Sequence, residues 1–312
     1  KGKGFDRMDD EVTYTASMDG KIEMQNDRIV VLPVHEVSGN AELAEGNIDF
    51  RGDIVIHGNV ESGVNIRATG SITIDGVAEA CMLEAGKDII LRGGMLGGNK
   101  ASVKTKGAIT AKFFEFTNIL CEGDLQADVL MDCSVICHGQ IRLTGRKGSI
   151  IGGKVQAIRG LIATSLGNDA EKRTEIFVGA GIDVYSRLRV MEKKIETTRE
   201  ELAKIEEGLE KFEILSKERG VSYTNDPRRT SLLRIKIKDS AMLASDEEEV
   251  RKLRILAESS KGACVSVIQE IYPGVIINMD ELKLALKNMA TGVEFYKLPD
   301  KIGTRPCSAG VE

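Results

Sequence analysis

The 312-residue chain has no tryptophan, and aromatic residues make up only 4% of it. A ligand pocket lined by aromatic side chains is therefore disfavoured. Lysine and arginine number 43 against 48 aspartates and glutamates, so the formal net charge is 43 − 48 = −5. A nucleic-acid binder that ignores sequence needs a basic face. We therefore expect no nucleic-acid partner.

Long apolar runs are also lacking. No run approaches the roughly 18 apolar residues that would cross a bilayer, and we expect neither membrane insertion nor a signal peptide. Because the chain begins at Lys1 rather than Met, we expect an N-terminal part of the protein to be missing. A chain of this length does not need the disulfide framework of a small secreted domain. We therefore predict a cytoplasmic location with six reduced cysteines, namely Cys81, Cys121, Cys133, Cys137, Cys264 and Cys307.

Glycine, with 33 residues, is abundant and marks a repeat. Between about Gly39 and Gly181 one phrase returns: apolar, any, small, any, Gly, any, Ile, any, Ile. The clearest copies are 48–56 and 66–74. Alternation with period two predicts strands in which every second side chain faces inward. The anchor positions of seven copies are 52, 70, 87, 107, 123, 139 and 160, with Lys87 in the glycine column.

The spacing of these anchors predicts the fold. Gaps of 16 to 21 residues are too short for a strand–helix–strand crossover but fit one turn of a parallel β-solenoid. Variable gaps disfavour the strict six-residue period of left-handed solenoids. We predict a mostly β fold, a right-handed single-stranded parallel β-helix, with the anchor glycines at sharp corners or close approaches. The inward column two residues after the anchor is Ile54, Ile72, Ile89, Ile109, Leu125, Ile141 and Ile162, and the column four before it ends in one exception, Gln156.

Beyond Val184 the pattern becomes helical. A seam with 3-4 spacing is typical of a coiled coil. It consists of Leu188, Met191, Ile195, Thr198, Leu202, Ile205, Leu209 and Phe212. Gly220 is predicted to end the first helix, and Asp226-Pro227 to open a second. The matched lengths predict a long antiparallel α-helical coiled-coil hairpin that interrupts the β-helix. A looser seam in the second helix would comprise Leu233, Ile237, Ala241, Ala244, Val250, Leu253 and Ala257.

These patterns divide the chain into four parts. Residues 1–38 would be N-terminal strands that cap the solenoid, with Met18–Ile22 and Arg28–Leu32 among them. Residues 39–184 would form the β-helix and 185–260 the hairpin. Residues 261–312 would be returning strands that complete and cap the β-helix, because an uncovered end exposes a strand edge.

The chain resembles the flagellar assembly protein A family. The matching phrases are Glu45–Val60, Ala111–Glu115 and Gly148–Gly153, followed by the helical interruption and Tyr272–Ile276. The resemblance implies a right-handed parallel β-helix carrying a helical hairpin, in a bacterial cytoplasmic protein. It also implies a connection with flagellar assembly or polar organisation through protein partners, bound by the hairpin or by the missing N-terminal region. The family has no catalytic motif to transfer.

The sequence offers few signs of chemistry. Cys133, Cys137 and His138 are possible zinc ligands, but Cys121 and Cys137 fall in the repeat's small-residue column and fit better as stacked core residues. The glycine clusters at 93–98 and 148–153 precede no helix and are predicted as corner turns rather than phosphate loops. We predict no catalytic, cofactor-binding or metal-binding residues and no cofactor. Scattered carboxylates are expected to be solvated, namely Asp53, Asp75, Asp88, Asp124 and Asp128.

Three functions remain open. The first is a non-enzymatic cytoplasmic scaffold whose hairpin self-associates or docks to a protein. Its second helix segregates charge, with basic residues from Arg228 to Lys238 and the acidic run Asp246–Glu249. This segregation suggests a docking stripe. The second function is a polymerising cytoskeletal element similar to bactofilins. The third is a carbohydrate-active β-helix enzyme, although the three histidines (His35, His57 and His138) are too dispersed for a triad.

Overall fold

The computed structural model describes residues 5–7, 14–17, 20–25, 28–143, 145, 147–220, 222–224 and 226–307. Met18 and Asp19 of the predicted capping strand, and 308–312 of the C-terminal segment, lie outside them. The chain divides into two compact units. One consists of Lys1–Gly179 with Ser260–Glu312, and the other is Ala180–Ser259.

The first unit contains all the strands. In its first half these are β1 (Phe5–Arg7), β2 (Tyr14–Ala16), β3 (Lys21–Gln25), β4 (Arg28–Leu32), β5 (Val34–Val37), β6 (Ile48–Phe50), β7 (Asp53–Ile56), β8 (Asn65–Ala68), β9 (Ile72–Ile74), β10 (Ala78–Glu79), β11 (Met82–Ala85), β12 (Ile89–Leu91), β13 (Met95–Thr105) and β14 (Ile109–Ala111). In its second half they are β15 (Phe113–Cys121), β16 (Leu125–Gln126), β17 (Val129–Met131), β18 (Ser134–Cys137), β19 (Ile141–Leu143), β20 (Ser149–Ile151), β21 (Gly153–Ala157), β22 (Leu161–Leu166), β23 (Thr174–Val178), β24 (Cys264–Ile271), β25 (Val275–Met279), β26 (Leu282–Ala285), β27 (Ala290–Lys297) and β28 (Ile302–Pro306). A short 3-10 helix covers Leu43–Glu45.

The strands confirm the predicted parallel β-solenoid, which has about eight turns. One column of parallel pairings runs through β5, β7, β9, β12, β14, β16, β19, β22 and β24. A second runs through β6, β8, β11, β13, β15, β18, β21, β23 and β25. A third links β10, β13, β15, β17, β20, β22 and β24. The strands before and after the helices thus belong to the same sheet.

Stacked aliphatic side chains fill the interior. One ladder, with each member at most 1% exposed, consists of Ile54, Ile72, Ile89, Ile109, Leu125, Ile141, Leu161 and Val265. Each side chain packs against the equivalent side chains of the turns before and after it. The short repeat therefore builds a continuous core. The predicted inward column is therefore confirmed as far as Ile141.

The seventh copy of the repeat is shifted by one residue from the prediction. Val155 pairs with Val135, and Leu161 pairs with Ile141. The predicted inward residues Gln156 and Ile162 therefore take the alternate positions and are half-buried. Because side chains alternate, a slip of one residue exchanges the two faces. The amide of Arg159, not of Gly160, bonds to the carbonyl of Gly139, so Arg159 is the true anchor and Gln156 is no exception.

Most anchor glycines are required by close approach rather than by an unusual φ. At Gly123 an added Cβ would lie 2.6 Å from the carbonyl oxygen of Gly107 on the preceding turn. At Gly139 it would lie 2.4 Å from the carbonyl oxygen of Gly123. Since backbone cannot move aside as a flexible side chain can, a side chain at either position forces the turns apart.

Antiparallel strands follow the last parallel pairings. β24 pairs antiparallel with β27, β27 with β28, and β25 with β26. The edges of β24 and β25 are therefore hydrogen-bonded to strands of the same chain. At the N-terminal side, β1 pairs with β2 and β3 pairs with β4 in two separate antiparallel sheets.

The second unit is the predicted pair of long helices, α1 (Gly181–Arg219) and α2 (Pro227–Ser259). α1 begins at Gly181, inside the segment that the sequence assigned to the β-helix. It ends at Arg219 and is capped by Gly220, whose φ of 64° is left-handed. The backbone amide of Arg228 donates to Asp226 Oδ1 at 2.8 Å, which caps α2 as expected.

The predicted seam of α1 is confirmed, because Ile195, Thr198 and Leu202 are buried and the rest of the seam is half-buried. The predicted seam of α2 is wrong between Ile237 and Ala244. Ile237 is 71% exposed, and Ala241 and Ala244 are exposed as well. The real seam includes Lys236, Leu243, Asp246, Val250 and Leu253.

Candidate interaction surfaces

Ion pairs between the helices fix the register of α2. Lys194 Nζ lies 2.7 Å from Asp246 Oδ2, and Lys236 Nζ lies 2.7 Å from Glu206 Oε1. Asp246 is only 8% exposed. A charged residue at a seam position specifies register when its partner is on the facing helix. The pattern of apolar residues in the sequence could not predict this seam, because the ion pairs of its polar residues determine which face of α2 packs against α1.

The register leaves apolar residues of α2 on the outside. Ile237 and Ile255 are 71% and 57% exposed. Ile237 is followed at spacings of four and three by Ala241 and Ala244, so these three share a helix face. An exposed isoleucine on its own needs no explanation. Here, however, several exposed apolar residues lie along one face of α2, and this face does not pack against α1.

A groove of about 930 Å³ runs between the helices, and we call it the hairpin groove. Its lining residues are Glu192, Ile195, Glu196, Arg199, Glu200, Glu247, Val250, Arg251, Arg254 and Ile255. Ile195 and Val250 are buried, and Ile255 is exposed. Two ion pairs cross between the helices here: Arg254 with Glu192 and Arg199 with Glu247, each at 2.6 Å. The groove is therefore apolar and charged at once, as protein-docking sites are.

Within the described part of the chain, Glu196 and Glu200 have no ion-pair partner. The opposite imbalance occurs at the start of α2. We call residues 227–238 the basic half of α2, because this segment has five cations and no carboxylate. The cations are Arg228, Arg229, Arg234, Lys236 and Lys238. Only Lys236 has an ion pair among the described residues, so this surface carries positive charge that no carboxylate of those residues pairs with.

The solenoid has a groove of its own, with a volume of about 430 Å³. Its lining residues are Asn99, Phe116, Thr117, Asn118, Asp132, Cys133, Ser134, Gly153, Lys154, Arg173 and Glu175. Three of them on successive turns have left-handed φ: Asn99 at 61°, Phe116 at 45° and Asp132 at 51°. Asparagine and aspartate tolerate this region, whereas a phenylalanine there is strained. Both carboxylates are in ion pairs, Asp132 with Lys172 and Glu175 with Arg173.

A charge ladder lies on the outer surface of the first turns. His57 Nε2 is 2.7 Å from Glu36 Oε1, and His57 Nδ1 is 2.9 Å from Asp75 Oδ2. Asp75 Oδ1 is 3.2 Å from Arg92. The hydrogen bonds to Glu36 and Asp75 raise the pKa of His57. Only the imidazolium form can donate to both carboxylates at once.

Comparison with protein families identifies the chain. The family model described as the Flagellar Assembly Protein A beta solenoid domain, FapA, matches residues 33–302. The chain belongs to the FapA family. This membership connects it with flagellar assembly. Neither the curated proteins nor the solved structures yielded a match. Within the described part of this FapA chain, neither helix has a stretch long and apolar enough to span a bilayer.

The cysteines of this FapA chain behave as core residues. Cys121 and Cys137 pair on neighbouring strands and are fully buried, so the predicted stacking is confirmed. Burial raises the pKa of Cys81 to about 12 and that of Cys133 to about 11. The hydrogen bond to Cys121, together with burial, raises the pKa of Cys137. All six cysteines are free. Among the described residues, no three His, Cys, Asp or Glu side chains cluster closely enough to hold a metal ion.

Three of the carboxylates expected to be solvated also serve the corners of the FapA solenoid, and two of them, Asp88 and Asp124, are exposed as expected. Asp53 Oδ1 accepts the amide of Ser71 at 2.7 Å, and Asp88 Oδ1 accepts that of Ala108 at 2.7 Å. Asp124 Oδ1 accepts the amide of Gln140 at 2.8 Å. Each follows its anchor position and binds the next turn. The sequence shows an aspartate directly after each of these anchors, but sequence analysis did not predict that it would bind the backbone of the next turn.

The glycine clusters turn corners, as predicted. Gly94 and Gly98 have φ of 86° and 53°, and Gly152 and Gly153 have φ of 73° and 77°. Both clusters run into strands rather than helices, since β13 begins at Met95 within the first and β21 at Gly153 within the second, so neither has the helix of a phosphate loop. Sequence reasoning missed the solenoid groove, because its strained corners use Phe116 and Asp132 where a glycine would have marked a turn.

Proposed function

We propose that this FapA chain is a non-enzymatic cytoplasmic scaffold of flagellar assembly or polar organisation, in which the hairpin binds a protein partner. The single observation that carries the proposal is the exposed face of α2, where Ile237 and Ile255 lie outside the seam. Apolar side chains that continue along one helix face are the anchors used in helix-mediated recognition.

The strand pairing of the solenoid favours a scaffold that does not polymerise. Stacking of bactofilin-like solenoids needs free strand edges at both ends. In this chain β26 pairs with β25 and β27 pairs with β24, the strands of the last turns, and β28 pairs with β27. This favours the scaffold over the polymerising alternative.

The carbohydrate-active alternative draws support from the solenoid groove and its strained Phe116. Paired carboxylates that act as acid and base need different protonation states. Here Asp132 and Glu175 are in equivalent surroundings, because each forms an ion pair with a cation, Lys172 and Arg173. The groove is therefore better suited to a structural or binding role than to glycoside hydrolysis.

The test compares two exposed isoleucines in a flagellated bacterium that encodes this chain. Ile237→Asp should reduce flagellation, because it places a charge on the docking face. Ile214→Asp is the matched control, because Ile214 is 54% exposed but lies on α1 and not on the exposed face of α2. Equal protein levels in the two strains exclude misfolding. Normal flagellation after deletion of the whole gene would contradict the proposal.

A further inference from the structure

We propose that one partner of the hairpin is a second copy of this chain, bound so that the basic half of each α2 lies in the hairpin groove of the other copy. The inference rests on the proposed function, since it names what the docking hairpin binds. Three arguments favour a second copy as the partner: the complementary charges, the apolar residues on both surfaces, and the two-fold symmetry of the contact.

The charges of the two surfaces are complementary. The basic half presents Arg234 and Lys238, which have no ion-pair partner within the described residues. The hairpin groove presents Glu196 and Glu200, which are likewise unpaired among those residues. Within one chain these groups stay unmatched although other interhelical pairs form nearby. A second copy supplies the missing partner to each set.

The apolar residues are complementary as well. The basic half carries Ile237, which is 71% exposed. The hairpin groove has Ile195 and Val250 at its base, 7% and 5% exposed, and Ile255 at 57%. Covering Ile237 with Ile255 would remove two large apolar side chains from water.

The order of charge along α2 selects an antiparallel arrangement. The basic half precedes the acidic run Asp246–Glu249 in the same helix. When two copies of such a helix run in opposite directions, each basic half meets the acidic half of the other. The contact then forms twice about a two-fold axis, as isologous interfaces require. A parallel arrangement would place like charges together.

Two charge-reversed variants test the arrangement in the full chain. In the first, Arg234→Glu is combined with Lys238→Glu. In the second, Glu196→Lys is combined with Glu200→Lys. Each variant alone faces like charges at both symmetric contacts, so its dimerisation should be weakened roughly 100-fold or more. Light scattering across a concentration series should find twice the chain mass for the unaltered protein and 33.9 kDa for each variant.

The decisive sample is the equimolar mixture of the two variants. In a mixed dimer one contact is entirely reversed and the other is entirely native, so both are attractive. The mixture should regain twice the chain mass, which no misfolded variant could do. Lys204→Glu with Lys211→Glu is the matched control, since neither residue lines the groove or lies on α2. This control should stay dimeric.

Each other result would overturn the inference. A constant mass of 33.9 kDa for the unaltered chain would exclude a second copy while leaving another protein partner, and with it the proposed function, intact. A mass that grows without limit would indicate stacking through the solenoid. A dimer that survives both charge reversals, or a mixture that stays monomeric, would place the contact elsewhere.

Discussion

The solenoid and the hairpin bury their apolar side chains to different extents. In the solenoid, Ile54 and Ile89 are fully buried, along with the rest of their ladder. In the hairpin the seam residues Val250 and Leu202 are 5% and 9% exposed, and the buried seam includes the charged Asp246. Three columns of strands enclose a core, whereas two helices share only one seam. The solenoid buries its apolar side chains within one chain, whereas the hairpin leaves apolar side chains exposed, as the proposed partner requires.

The largest expected effect comes from truncating the solenoid core. Ile89→Ala should lower the free energy of unfolding by about 2–5 kcal/mol, because the rigid stack cannot close the cavity. The hairpin counterpart, Leu202→Ala, should cost less than about 2 kcal/mol, since its site is open on one side. Urea unfolding of both variants measures the difference. Equal losses would remove the contrast between the regions.

A corner substitution tests the close packing of the turns. Gly123→Ala should lower the free energy of unfolding by about 1–3 kcal/mol, because its Cβ would meet backbone 2.6 Å away. Gly39→Ala is the matched control, since a Cβ there has nothing within 4 Å. Thermal unfolding of the pair should show a lower melting temperature for the first alone. A similar loss in the control would mean that glycine acts here through flexibility.

A polar substitution tests the seam of the hairpin. Asp246→Ala removes the buried partner of Lys194 and should cost about 1 kcal/mol of stability, confined to the helices. Glu248→Ala breaks the exposed pair with Arg251, which solvent screens, and should leave the stability nearly unchanged. Helical circular dichroism during urea unfolding reports both. Should the two variants behave alike, the buried pair does not determine the register.

The smallest effect is a pH dependence in the solenoid. The pKa of His57 is raised above its ordinary value of 6.5 in the folded chain. Its stabilisation is therefore fully present below that value and is lost as pH rises through the folded pKa. His57→Asn should flatten the fall in melting temperature over this window. His138→Asn should leave it unchanged, and an unchanged slope in both variants would exclude the ladder as its source.

The repeat made most of the solenoid predictable, because period-two alternation and the anchor column encode strand, face and corner together. The prediction failed at Gln156, where an insertion of variable length precedes the anchor and a nearby glycine, Gly160, imitates it. It failed again in α2, where Ile237 carries the apolarity while Asp246 lies in the seam. Left-handed Phe116 gave no signal, because nothing in its residue type indicates a corner. A sequence pattern can therefore predict packing that repeats regularly, whereas it cannot predict a helix register that depends on single ion pairs.

Hydrogen exchange of the full chain at low and high concentration tests most directly whether the hairpin is the associating region and the solenoid the self-sufficient one. Protection of α2 around Ile237 and along the hairpin groove should increase with concentration, while β7, β12 and β19 exchange equally slowly in both samples. The account would be contradicted if the strands gained the protection and the helices did not, or if concentration changed neither.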